Sequence, residues 1–222
     1  MLDAAGLPGP KSLMCSRAVI DVGTFRKGDV TMPNTVRRVV TGHDAEGRSV
    51  VVSDGPAPFV HVSPDDPEWY STDVFRTGAT PAKIIARQGE TTEGPRRQLP
   101  TKRGTVIRVN NFPPEPESVR KMTPEDSLRA FSALGNPGAA TFGKGGRHPL
   151  MHRTETIDYA IVMSGEIVML LDEGEVVLRA GDILVQCGTN HAWVNRSNAA
   201  AVVVFVLVDG EFEEGLAEKF SD

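Results

Sequence analysis

The sequence predicts an all-β chain folded as a sandwich or small barrel, and three observations carry that expectation. From about residue 139 to 209, short apolar runs alternate with turn residues at near-even spacing. Nearer the start, two alternating segments flank one tight turn, as a hairpin requires. A single helical signal stands out, over residues 123–134.

Residues 1–33 mix Gly, Pro and charge around the patch Ala18-Val19-Ile20, and read as an arm that is ordered only where it docks. Strands are expected at 36–41 and 48–53, joined by His43-Asp44-Ala45-Glu46-Gly47, with Asp54-Gly55-Pro56 stopping the second. Prolines at 56, 58, 64, 67, 81, 95 and 100 break up residues 56–104, a loop-rich connection with one short strand at 73–76. Residues 105–110 alternate and predict another strand.

The proline-rich passage from Phe112 leads into the helix. Thr123 suits the N-cap, Pro124 the first helical position, and Glu125 with Asp126 complements the dipole. Leu128, Phe131 and Leu134 form the expected buried stripe, and Gly135 the stop. Strands are then expected at 151–158, 160–164, 167–172, 175–179, 183–186, 191–195 and 201–207, each pair separated by a turn such as Asp172-Glu173-Gly174 or Ala180-Gly181-Asp182. The predicted organisation is thus an arm (1–33), a β extension and loop-rich connection with the helix (34–138), a barrel core (139–210) and a peripheral acidic tail (211–222).

The chain has 222 residues, 40% hydrophobic, with 24 Lys+Arg against 29 Asp+Glu and a net charge of −5. That is enough apolar material for a real core, and the absence of a basic block interleaved with aromatics argues against a nucleic-acid partner. Two cysteines, Cys15 and Cys187, make neither a disulfide framework nor a cysteine zinc site, and read as free thiols in a reducing compartment. No apolar run approaches the roughly 18 residues of a membrane span. The first 16 residues carry Asp3 and two prolines and lack a signal-peptide core. A cytoplasmic protein without a membrane partner is expected.

Two passages carry chemistry. The first is His152-Arg-Thr-Glu-Thr-Ile-Asp158-Tyr, followed by Ser164-Gly165-Glu166; the second is Ala180-Gly181-Asp182-Ile-Leu-Val-Gln, then Gly188-Thr-Asn-His191-Ala-Trp193-Val-Asn195. Together they resemble the conserved-barrel proteins of the cupin superfamily, and the hairpin at 36–53 is similar to the N-terminal strands of single-domain cupins. The resemblance implies a double-stranded β-helix (jelly-roll) barrel with an N-terminal strand extension and one short helix. It also implies a divalent metal inside the barrel, held in the family by two histidines and a glutamate from the first motif and one histidine from the second. His152 falls on the first histidine, Asp158 on the glutamate and His191 on the last histidine, while Thr154 stands where the second histidine would be.

Residues 152, 154 and 158 share parity, so a regular strand would present all three on one side. Asp158 lies among apolar neighbours, where a lone carboxylate is costly unless paired or bound to a cation. With His191 from a nearby strand, two imidazoles and one carboxylate would form a facial triad with open positions, suited to Fe, Mn, Ni or Zn. The same three residues also suit metal-free acid–base work. Around these candidate catalytic and metal residues, Thr154, Trp193 and His148 are the candidate substrate contacts. Glu155 has the opposite parity and should face out, and His43 and His61 read as solvent-facing or structural.

The leading expectation is therefore a small-molecule cupin enzyme acting on an oxygenated organic substrate, by lyase, isomerase, decarboxylase or dioxygenase chemistry. The alternative is a non-catalytic or metal-free ligand-binding cupin with a degenerate metal site. Open strand edges further suggest a homodimer that exchanges its N-terminal segment.

Overall fold

In the computed structural model, which describes residues 36–63 and 66–220, the hairpin consists of β1 (Arg37–His43) and β2 (Ser49–Pro56), paired antiparallel. The second strand does not stop at Asp54: it runs through Gly55 to Pro56, opposite Arg37. β2 pairs only with β1, and on such an edge a proline is tolerated. The N-terminal arm, Cys15 and the exchanged segment expected for a dimer lie outside the described residues.

The loop-rich connection holds more strand than its prolines suggested. β3 (Val60–Val62) fits between Pro58 and Pro64, and β4 (Tyr70–Thr77) extends the expected 73–76 segment in both directions. A bulge between Asp73 and Phe75 lets β4 pair along β5 (Thr105–Phe112). A four-residue helix, α1 (Glu117–Arg120), precedes α2 (Pro124–Ala133). In α2 the Thr123 side chain accepts from the Asp126 backbone N–H while the Asp126 carboxylate accepts from the Thr123 N–H, a capping box. The buried stripe differs from the expected one. Ser127 and Phe131, four residues apart, face inward, and the Ser127 hydroxyl donates to the Pro149 carbonyl (2.6 Å). Leu128, one position round the helix, is 48% exposed, and Leu134 is half-buried.

The remaining strands are β6 (Thr156–Ser164), β7 (Glu166–Leu171), β8 (Glu175–Arg179), β9 (Ile183–Cys187), β10 (His191–Val194) and β11 (Ala201–Asp209). Residues 151–158 and 160–164 do not make two strands. Alternation runs unbroken through Tyr159, so one strand spans Thr156–Ser164, and residues 151–155 touch the sheet only through isolated bridges at His152. The turn from β6 to β7 needs Gly165. Its φ is +75°, and a Cβ there would lie 2.7 Å from the Ala200 carbonyl oxygen.

Two sheets face each other, in the orders β3-β4-β5-β11-β6-β9 and β10-β7-β8. Strands from the predicted extension and from the predicted core thus share one sheet. The core between the sheets joins Val106, Ala160, Val162, Val203, Phe205 and Leu207 to Ile167, Met169, Leu178 and Trp193. Each large apolar side chain buried there contributes about 1.5–3 kcal/mol. Alternation is clean: in β11, residues 201, 203, 205 and 207 are buried, whereas the outer face carries exposed Tyr159, Met163, Ile183 and Val185. The acidic tail is mostly exposed, with no buried residue in its helices, yet it is structured. It forms α3 (Glu214–Ala217), Phe212 packs on Phe220 with ring centroids 5.1 Å apart, and the Arg153 guanidinium sits 3.7 Å over the Phe220 ring.

Candidate active site

The backbone itself brings the two key histidines together. The N–H of His152 donates to the carbonyl of His191 and the reverse bond is also made, both at 2.9 Å. This bridge links the irregular segment before β6 to the first residue of β10, and it sets the ring centroids 4.3 Å apart. Each ring then donates from Nδ1 to a carbonyl two residues back: His152 to Leu150 and His191 to Thr189, both at 2.9 Å. A carbonyl can only accept, so the proton is on Nδ1 and each Nε2 keeps its lone pair. Burial pushes His152 down to about 4, with Arg96 adding to that and the Leu150 bond opposing it. Burial, followed by the neighbouring His152, pushes His191 to about 3. Both rings are neutral at physiological pH.

Asp158 projects inward from β6 and is 6% exposed. Burial raises its carboxyl to about 6 against the Thr156 hydroxyl and the Arg108 charge, which both favour the ionised form. Its Oδ1 is buried without a hydrogen-bond partner among the described residues. Across the sheet Asp158 neighbours Gln186 of β9. Gln186 Nε2 lies 3.2 Å from His191 Nδ1 and donates to the Thr189 carbonyl (3.0 Å), while its Oε1 accepts from the Gly188 N–H. Gln186 therefore connects the carboxylate strand to the histidine loop. Sequence reasoning passed over it, although a polar residue on the inward parity of β9, two places from Leu184, was the available signal.

The predicted substrate contacts have mixed fates. Thr154 is buried, and its hydroxyl shares a hydrogen bond with that of Thr156 (2.9 Å). Trp193 stands edge-on to His191, centroids 6.0 Å apart, and packs into the core against Phe205. His148 does not face the histidine pair. Its Nε2 lies 2.7 Å from Glu115 and its Nδ1 accepts from the Leu150 N–H, so both nitrogens are occupied in holding loops. Phe131 from α2 packs on His152 at 5.0 Å, a wall that the sequence did not suggest. His61 is not a loop residue: it lies in β3 with a buried, unpartnered Nε2.

A second polar region occupies β4 and β5. Asp73, fully buried, receives Arg108 Nε on Oδ1 (2.5 Å), and its Oδ2 accepts from Arg76 (2.6 Å) and Arg108. Arg108 also donates to the carbonyls of Arg97 and Gln98. Burial opposes ionisation of Asp73, but these guanidiniums hold its carboxyl below the usual carboxylate range. Arg96 donates from Nε to the Ser71 hydroxyl (2.8 Å).

Whether these residues fit a divalent metal can be judged from the donors. Two neutral imidazoles side by side, each with its far nitrogen tied to a carbonyl, are what a metal centre asks of its histidines. A third ligand is missing: among the described residues, no three His, Cys, Asp or Glu side chains come together in a metal-holding group. His152, Asp158 and His191 thus stand as a pair and a separate carboxylate, and they do not make the expected triad.

The Cupin domain family (Cupin_2) matches residues 138–207, which contain every residue of this pair and carboxylate. The cupin-domain-containing oxidoreductase fogC of Aspergillus ruber is 30% identical over 179 residues, 78% of this chain and 72% of its own length. Phomopsin biosynthesis cluster protein C' of Diaporthe leptostromiformis is 52% identical over 68 residues; that match spans only 36% of its length. A solved Cupin 2 conserved barrel domain protein from Salinispora arenicola is similar over 73% of this chain and 88% of its own, at 10% identity and a TM-score of 0.34. No helix among the described residues is long and apolar enough to cross a membrane. With two facing sheets, inward-pointing histidines and a relative aligned along most of both chains, this chain belongs to the cupin family.

Proposed function

We propose that this chain is a small-molecule cupin enzyme that moves a proton on an oxygenated organic substrate inside the barrel. The observation that carries the reading is a pair of neutral imidazoles with free Nε2 lone pairs and, separate from it, a buried carboxyl whose Oδ1 has no partner among the described residues; Gln186, opposite Asp158 in the sheet, donates to the Thr189 carbonyl beside His191. Relatives named as oxidoreductases, such as fogC, support enzymatic rather than structural use of such a barrel.

The perturbed acidities divide the labour. A conjugate acid near 3 or 4 makes each histidine a base weaker than ordinary imidazole by roughly 3 to 5 kcal/mol of driving force. The Nε2 lone pairs are then best used to accept hydrogen bonds from substrate hydroxyls, which fixes the substrate's orientation. Asp158, near 6, sits where a proton can be both taken and returned at neutral pH. Its unpartnered Oδ1 is the atom that removes a proton from a carbon or hydroxyl beside a carbonyl, and later returns it. This step is shared by isomerase, lyase and oxidoreductase reactions.

The test begins with deletion of the gene in the organism that encodes it, followed by isolation of whatever small molecule accumulates. Purified wild-type protein is expected to convert that compound with a pH profile rising near 6, and Asp158→Asn to lose on the order of 10² or more in kcat. Conversion by Asp158→Asn at the wild-type rate, or binding of the compound without conversion, would overturn the reading in favour of a binding-only cupin. Elemental analysis of protein purified without chelator belongs beside it. Stoichiometric iron, manganese, nickel or zinc, lost in both His152→Ala and His191→Ala, would replace this reading with a metal-centred one.

A further inference from the structure

On the β4–β5 side a single carboxylate, Asp73, serves the guanidiniums of Arg76 and Arg108, and both of its oxygens are taken. Arg38, the next arginine outward, is paired with Glu90 at 2.7 Å. Arg96 is different. Its Nε donates to the neutral Ser71 hydroxyl, and its two terminal nitrogens have neither a hydrogen bond nor an ion pair among the described residues. Asn110, opposite Ser71 in the sheet, and His61 likewise carry buried polar atoms without partners.

We propose that Arg96 receives a carboxylate of the substrate, held end-on by its two terminal nitrogens. This deepens the catalytic reading above and rests on it for the word substrate. The chemistry follows from the fork. A guanidinium fixed through Nε still offers two parallel N–H groups, spaced to match the two oxygens of a planar carboxylate. One fork supplies one positive charge, and the neighbouring Arg76 and Arg108 are already taken up by Asp73, so a monoanionic carboxylate fits better than a phosphate. Arg96 is half-buried, so its fork is partly removed from water while a hydroxyl is its only hydrogen-bond partner among the described residues, and an anion reaching it meets a charge without a counter-ion.

Position agrees with chemistry. Ser71 of β4, to which Arg96 is fixed, is buried on the same sheet as Arg108 of β5 and Asp158 of β6, so the guanidinium and the carboxyl of the site belong to one sheet. Arg96 is itself drawn down to about 9 by burial and by Arg108, and stays charged at neutral pH. A substrate carboxylate on Arg96 would leave its hydroxyl or carbonyl end to reach His152, His191 and Asp158. The substrate class is then an oxygenated carboxylic acid, such as a hydroxy acid or keto acid.

Titration calorimetry at neutral pH with lactate, and with lactamide as the uncharged isostere, tests the proposal without any turnover. Wild-type protein is expected to bind lactate and not lactamide. Arg96→Gln is expected to weaken lactate at least tenfold. Arg96→Lys, which keeps a charge and loses the fork, should fall between the two; it also guards against a folding defect in the glutamine variant. Equal binding of lactate and lactamide, no binding of lactate by the wild type, or unchanged lactate affinity in Arg96→Gln would each overturn it. Failure of the catalytic reading looks different: lactate binding intact in Asp158→Asn, with no accumulated compound converted by any form of the protein.

Discussion

The interior of this barrel treats charge in two opposite ways. On β4 and β5, Asp73, Arg76 and Arg108 satisfy one another, and their hydrogen bonds leave no carboxylate oxygen idle. Around β6 and β10, Asp158 and His191 are buried as well and His152, just before β6, is half-buried, yet no opposite charge among the described residues pairs with them and Asp158 keeps a bare oxygen. Burial penalises charge equally in both regions, but only the first compensates it. The paired region is therefore expected to hold the fold, and the unpaired one to cost stability for the sake of chemistry.

The largest effect is expected from breaking the pairing. Asp73→Asn leaves Arg108, 4% exposed, without its counter-charge. Chemical denaturation should show a loss of about 3–5 kcal/mol, or no folded protein at all. A loss under 1 kcal/mol would erase the contrast between the regions.

Removing the unpaired carboxyl should act in the other direction. Its pKa in the fold lies above its unfolded value, so the folded state holds the proton more tightly, and stability falls as pH rises from about 4 to about 6. A shift of roughly 2 units corresponds to about 3 kcal/mol at most. Asp158→Asn is thus expected to stabilise the protein above pH 6 by about 1–3 kcal/mol, with the gain vanishing near pH 4. Urea titrations of both forms at the two pH values would show it; destabilisation at pH 7.5 would mean that Asp158 is paired after all.

The histidines give the opposite slope. Folded values near 4 and 3, below the unfolded imidazole, mean that the unfolded chain takes up protons first, so stability drains away as pH falls below about 6.5. A His152→Gln, His191→Gln double variant should move the acid-unfolding midpoint lower by about one pH unit, followed by far-ultraviolet dichroism. An unmoved midpoint would place the acid sensitivity elsewhere. The smallest effect belongs to Glu90, held at about 2 mainly by Arg38 but with 28% of its side chain exposed. Glu90→Gln should cost about 1 kcal/mol near neutrality and nothing below pH 2. A cost equal to that of Asp73→Asn would show that burial does not set the scale.

The barrel strands were legible because alternation and turn glycines are local signals: β8 falls at residues 175–179 as expected, and β7, β9, β10 and β11 lie within two residues of expectation. The His152–His191 encounter was legible through motif resemblance. What could not be read was long-range. Asp73 and Arg108 are 35 residues apart, and nothing local marks either as a partner of the other. Arg96 follows Gly94-Pro95 in a segment without apolar alternation, where the chain reads as loop whether or not a side chain turns inward. Thr154 is buried on the same parity as Asp158, as expected, although the regular strand begins only at Thr156; His152 is half-buried. The placement of His152 comes from the backbone bridge to His191.

The bonds from His152 and His191 to Leu150 and Thr189 use main-chain carbonyls, which every residue type possesses. Substitution at positions 150 or 189 therefore leaves the acceptor in place, and the orientation of both lone pairs is inherited with the trace of the chain. Random change can rework the walls around the pair, trading one substrate for another, while the reactive nitrogens stay aimed. In a barrel so arranged, new specificities lie a few side chains apart, and losing the pair itself requires either replacing a histidine or bending the backbone.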